Sequence, residues 1–132
     1  MDNKEQILND LKALQADIHA TALDKGWWDD RNNLISLAKS HHPSTAKYAK
    51  SAVVGSALAL IHSEVSEALE ADRNGDKPDD KIPEYTGMEA ELADVMIRIY
   101  DLAEAFGLRV NEAMIEKIQM NKSRSHKHGK SY

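Results

Sequence analysis

The apolar residues of this chain recur at helical spacing and nowhere at strand spacing. Breakers fall at Gly26, His41-His42-Pro43, Asn74 to Pro78, Pro83 to Gly87 and Gly107. Between them no five or six residues alternate apolar and polar with β-branched enrichment, so a sheet has no strands to draw on. Four stretches instead read as amphipathic helices, over about 3–25, 45–73, 87–106 and 110–123, the first with Ile7, Leu11, Leu14 and Ile18 on one side. A short extra helix fits near 32–40. Short connections imply antiparallel neighbours, so the expected fold is all-α, an antiparallel four-helix bundle with room for one extra short helix. The Pro-, Asp- and Lys-rich segment 74–86 is expected as an exposed loop that makes a hairpin of the helices on either side.

Composition agrees. With 5% aromatic and 42% hydrophobic residues, the core must be built mainly from Ala, Leu, Ile, Val and Met, which leans towards helices. A length of 132 residues suits one domain and is too short for two, so residues 1–132 are read as a single unit with a helical core of 3–123 and a basic tail of 124–132. Zero cysteines exclude a disulfide scaffold, a zinc ribbon and a thiol nucleophile. The opening MDNKEQ has no signal-peptide pattern, and no apolar run approaches the roughly 20 residues of a membrane span. A soluble, cytoplasmic protein without a membrane partner is the expectation.

The net charge of −5 is unevenly distributed. Residues 117–132 contain Lys117, Lys122, Arg124, Lys127 and Lys130 and no acid, while every Asp and Glu lies earlier. An acidic body argues against a nucleic-acid polymer as partner, and the basic end leaves a small polyanion open. A solvated chain end is the simpler alternative for that tail.

Two pairs of carboxylates stand out against the helical pattern. Glu64 falls within the apolar stripe of Val53, Ala57, Leu60, Ile61 and Ala68, and Glu67 falls at its edge. On the next helix Glu91 borders the stripe of Met88, Leu92, Val95, Ile99, Leu102 and Phe106, and Asp94, Arg98 and Asp101 continue that flank. The i, i+3 spacing puts each pair on one helix face, so two packed helices can present four carboxylates to a common point. Carboxylates gathered in this way repel one another unless a divalent cation neutralises them, and an oxygen-only ligand set suits Mg²⁺ or Mn²⁺ rather than Zn²⁺. Solvated faces, or partners for Lys and Arg, are the competing explanation for such pairs. A di-iron site is excluded, because no His stands three residues after a Glu. In the last helix Lys117 shares the side of Val110, Ala113 and Met114, and Asn121 and Arg124 extend that row as a phosphate grip or as snorkelling helix-end cations.

His62-Ser-Glu64-Val-Ser-Glu67-Ala-Leu-Glu-Ala71, Glu91-Leu-Ala-Asp94 through Asp101, and Glu116-Lys117 through Lys130 resemble, in that order, the MazG-like branch of the all-α nucleoside triphosphate pyrophosphatases. The likeness spans residues 55–130, and Lys25-Gly-Trp-Trp-Asp-Asp30 is similar to the opening segment of such proteins. Two departures are Ser125, where relatives often carry proline, and the stretch from His41 to Ala49, which reads as an insertion. The resemblance implies Mg²⁺ ligands at Glu64, Glu67, Glu91 and Asp94, and phosphate contacts from Lys117, Asn121, Arg124 and Lys127. It implies hydrolysis of a nucleoside triphosphate to monophosphate and pyrophosphate, in nucleotide-pool sanitation. Glu67, at the wetter edge of its helix, is the candidate to polarise the attacking water. Trp28 is the candidate to stack on the base, the alternative being that Trp27 and Trp28 both seal the junction behind the first helix. A domain this small offers little area to cover a polar cleft, so a homo-oligomer, dimer or tetramer, is expected, with pockets at the subunit boundary. Two alternatives stay open: the same site acting on a nucleoside diphosphate or phosphoribosyl-ATP, and a non-catalytic helical module that senses nucleotides.

Overall fold

The computed structural model describes residues 3–129. Its elements are α1 (Lys4–Asp24), α2 (Asp29–His41), α3 (Pro43–Arg73), α4 (Gly87–Phe106), α5 (Val110–Ser123) and a 3₁₀ turn at His126–Gly129. The described chain is all-helical; the only strand-like feature is a single antiparallel bridge between Pro78 and Thr86 that closes the base of the 74–86 loop. Lys130 of the basic tail lies outside the described residues.

Two boundaries differ from the sequence expectation. The short extra helix is a full one of 13 residues, and α3 begins at Pro43, so the supposed insertion is the end of α2 joined to the first turns of α3. The cause is local. His42 is extended and its ring Nδ1 accepts the Ser44 amide at 3.1 Å, and Pro43 stands where its missing N–H and preset φ favour a helix start. The sequence breaker is therefore also an initiator. At α4 the signals are direct: Thr86 and Glu89 form a reciprocal capping box, and Gly107 closes the helix in the left-handed region at φ 63°.

α4 lies between α3 and α1, α2 covers α3, and α5 rests on α1. α1 runs antiparallel to α4, since Gln15 Nε2 donates to Glu104 Oε2 at 2.6 Å and His19 Nδ1 meets Asp101 Oδ1 at 2.7 Å. The α3 and α4 hairpin is drawn close by small residues: Ala49, Ala57 and Ala68 of α3 and Ala103 of α4 are buried, and a Cβ on Gly87 would lie 3.2 Å from that of Ala71. Trp28, Val53, Tyr100, Leu102 and Ile115 complete the core. Much apolar surface remains uncovered, including Leu58, Val65 and Leu69 on α3 and Leu92 and Met96 on α4. Against the expectation drawn from apolar runs, α3 is long and apolar enough, by length and composition only, to match a membrane span, because its polar residues are mostly uncharged Ser and His over that stretch; 22% of the stretch is buried.

Candidate metal centre

Glu64 lies on the buried face of α3 in register with Val53, Ala57 and Ala68, and its side chain is 8% exposed. A carboxylate there needs compensation, and Arg98 of α4 supplies it by donating Nε–H to Oε1. One turn along α3, Glu67 is exposed, and Glu91 reaches in from α4 half-buried. Carboxylate oxygens of Glu64, Glu67 and Glu91 all lie within 4.8 Å of one another. Among the described residues neither Glu67 nor Glu91 forms an ion pair.

That convergence has an electrostatic signature. Loss of water pushes the Glu91 carboxyl up to about 7, and contacts with Glu64 and the charge of Glu67 push it the same way. Asp94 is also raised, first by partial loss of water and then by the charge of Glu64, against the lowering effect of Arg98 and Lys81. It remains exposed on the rim, lining a cleft with Arg98. Three of the four expected ligands thus come together and Asp94 flanks them. The three offer only oxygen donors, which suits a hard divalent cation.

The cation row is elsewhere. Asn111 Nδ2 donates to Gln15 Oε1 at 3.1 Å, Glu112 pairs with Lys12 at 2.8 Å and Glu116 pairs with Lys4 at 2.9 Å, so α5 descends towards the start of α1. Asp94 lies the other way, sharing a cleft with Thr21 and Ala22 near the end of α1, and the antiparallel register of α4 carries Glu91 further in that direction. At about 1.5 Å of rise per residue, the levels of Lys117 and Glu91 are on the order of 30 Å apart along α1. Lys117, Asn121, Arg124 and Lys127 are all exposed. Within one chain they do not reach the carboxylates.

Trp28 is 2% exposed. Its Nε1–H donates to Asp101 at 2.9 and 3.0 Å, Arg31 sits 4.7 Å over its ring, and His19 and Phe106 pack edge-on at 5.5 and 5.9 Å. No ring face is left open to a base, so Trp28 seals the junction between α1, α2 and α4. Trp27, by contrast, is 70% exposed.

Sequence reasoning missed the His19–Asp101–Trp28 chain and Arg31. The only available signal was Asp101 one turn beyond Arg98 on the carboxylate flank; that His19 and Trp28 meet it depends on how α1 and α2 dock. Comparison with protein-family models, with curated proteins and with solved structures finds no match for this chain.

Proposed function

We propose that this protein is a metal-dependent nucleoside triphosphate pyrophosphohydrolase of the MazG-like bundle type, releasing monophosphate and pyrophosphate. The observation that carries this reading is the convergence of Glu64, Glu67 and Glu91 on the α3 and α4 hairpin, where the i, i+3 pairs of the MazG-like pattern fall.

Glu64, Glu67 and Glu91 would hold the cation, with Asp94 at the rim. Mg²⁺, or Mn²⁺ in its place, would supply neutralisation of the phosphoryl oxygens during in-line attack. Arg98 keeps Glu64 oriented. Glu67 is the exposed member, so it is the group able to accept a hydrogen bond and then a proton from the attacking water. The raised Glu91 favours holding one proton within the cluster when no metal is bound, a proton that metal binding would release.

A homo-oligomer belongs to this proposal. The apolar side chains left open on α3 and α4 suit a second copy of the chain, and a phosphate grip by Lys117, Asn121, Arg124 and Lys127 must come from that copy, given their distance from the carboxylates of their own chain. The substrate is a nucleotide, with no role for a nucleic-acid polymer or a membrane. The test is chromatography of the products formed from deoxynucleoside triphosphates with Mg²⁺: monophosphate and pyrophosphate are expected, and diphosphate with orthophosphate would overturn the assignment. The Arg98–Glu64 pair supports a second reading, a non-catalytic nucleotide-sensing module whose acidic groups are structural; such a protein binds nucleotide equally well in EDTA and turns none over.

A further inference from the structure

A cleft of ≈ 250 Å³ opens between α1, the turn before α2, and α4, lined by Ile18, Thr21, Trp27, Arg31, Asp94 and Arg98 among others. It adjoins the carboxylate cluster, because Arg98 lines the cleft and also holds Glu64. Arg31 is half-buried and forms no ion pair among the described residues. It is nonetheless held in place. Its guanidinium lies 4.7 Å over the Trp28 ring, Trp28 is tied through Nε1 to Asp101, and Asp101 is tied to His19 at 2.7 Å. A planar cation fixed by its face, with its N–H edge unspent on a carboxylate, is prepared for an anionic oxygen. Trp27, meanwhile, is 70% exposed and lines the same cleft, an apolar plane suited to cover an aromatic ring.

We propose that this cleft is the nucleotide pocket contributed by the chain that also contributes the carboxylates, with Arg31 contacting a phosphate oxygen and Trp27 stacking on the base. The proposal rests on the nucleotide reading above and deepens it: base and phosphate have contacts in the same chain as Glu64, independent of the α5 row. The cleft's own acids, Asp94 and Asp101, do not cancel Arg31, since Asp101 is engaged by Trp28 and His19, and the charge of Asp94 is offset first by Arg98 and then by Lys81.

The experiment titrates the full-length protein with the α,β-methylene analogues of the four deoxynucleoside triphosphates, followed by tryptophan emission and calorimetry, with turnover of the natural triphosphates measured in parallel. Quenching of Trp27 is expected on binding. Arg31→Gln and Trp27→Ala should each weaken binding about tenfold, from the loss of a charge-assisted hydrogen bond and of a stacking surface, while Trp27→Phe restores affinity. Because Trp27 is exposed, Trp27→Ala should keep the helical circular dichroism of the parent protein, so a loss of binding is not a loss of fold. Wild-type affinity in both Arg31→Gln and Trp27→Ala overturns the pocket and leaves the pyrophosphohydrolase reading standing. Binding that depends on Arg31 and Trp27, without metal-dependent turnover, supports the pocket and overturns the hydrolase. Failure of the parent protein to bind any analogue overturns the pocket.

Discussion

Glu91→Gln separates the cost of a charged Glu91 within the carboxylate cluster from the cluster's capacity to hold metal. The Glu91 carboxyl is raised from 4.5 to about 7, chiefly by loss of water and then by its two acidic neighbours. At about 1.36 kcal/mol per unit the displacement corresponds to roughly 3 kcal/mol, and solvent screening of a half-exposed group reduces this to about 1–2 kcal/mol. The sign follows from proton counting. Below about pH 4.5 the group is protonated folded and unfolded, and it costs nothing. As pH rises towards 7 the unfolded chain ionises first, so metal-free stability falls, and the loss is complete above the folded value. Gln cannot ionise. Thermal unfolding in EDTA should therefore show parent and variant converging near pH 4.5, with the variant melting higher at pH 8 by roughly 5 °C. With Mg²⁺ the order should reverse, because the parent gains ligand stabilisation that the variant lacks. A variant that is no more stable than its parent at pH 8 in EDTA would refute the cost of a charged Glu91, from lost water and from its acidic neighbours together.

Three further outcomes follow from the packing and the site. Arg98→Met leaves the Glu64 carboxylate buried without its cation and should destabilise the metal-free protein by about 2–4 kcal/mol, with Mg²⁺ recovering part of the loss in thermal melts; Tm values unmoved by either change would contradict the compensation described. Thr86→Ala removes the hydroxyl that accepts the Glu89 amide at 3.2 Å and should cost about 1 kcal/mol in urea denaturation without changing metal affinity. If the α5 cations serve a partner's carboxylates, Glu67→Ala and Lys117→Ala/Arg124→Ala chains, each inactive alone, should regain about a quarter of parental turnover when mixed and allowed to exchange, and a mixture that stays inactive would place the grip elsewhere.

The helices were legible because their signals are local. Periodicity placed α4 and α5, and the α4 capping box and Gly107 fall where sequence rules put them. Pro43 misled because proline both breaks and begins helices, and only the His42 side chain on the Ser44 amide decides between these roles. Glu64, Glu67 and Glu91 could be paired from their place on two stripes of adjacent helices, since a hairpin leaves little freedom of register. Asp94 points to the rim because it lies one turn along, on the flank shared with Arg98. The position of α5 relative to the cluster was not readable, as it depends on Gln15 and Asn111 meeting across helices distant in sequence. Trp28 and Trp27 are adjacent and chemically alike; their opposite fates are set by Asp101 and Arg31, which arrive from α4 and α2.

The most direct test of the carboxylate cluster as a hydrolytic metal site is a pyrophosphate-release screen over canonical and modified deoxynucleoside triphosphates, run with Mg²⁺ and with EDTA. Release from at least one nucleotide is expected with Mg²⁺, lost in EDTA and lost in Glu64→Gln and Glu67→Gln proteins. No release from any nucleotide, or release indifferent to EDTA and to both substitutions, would contradict it.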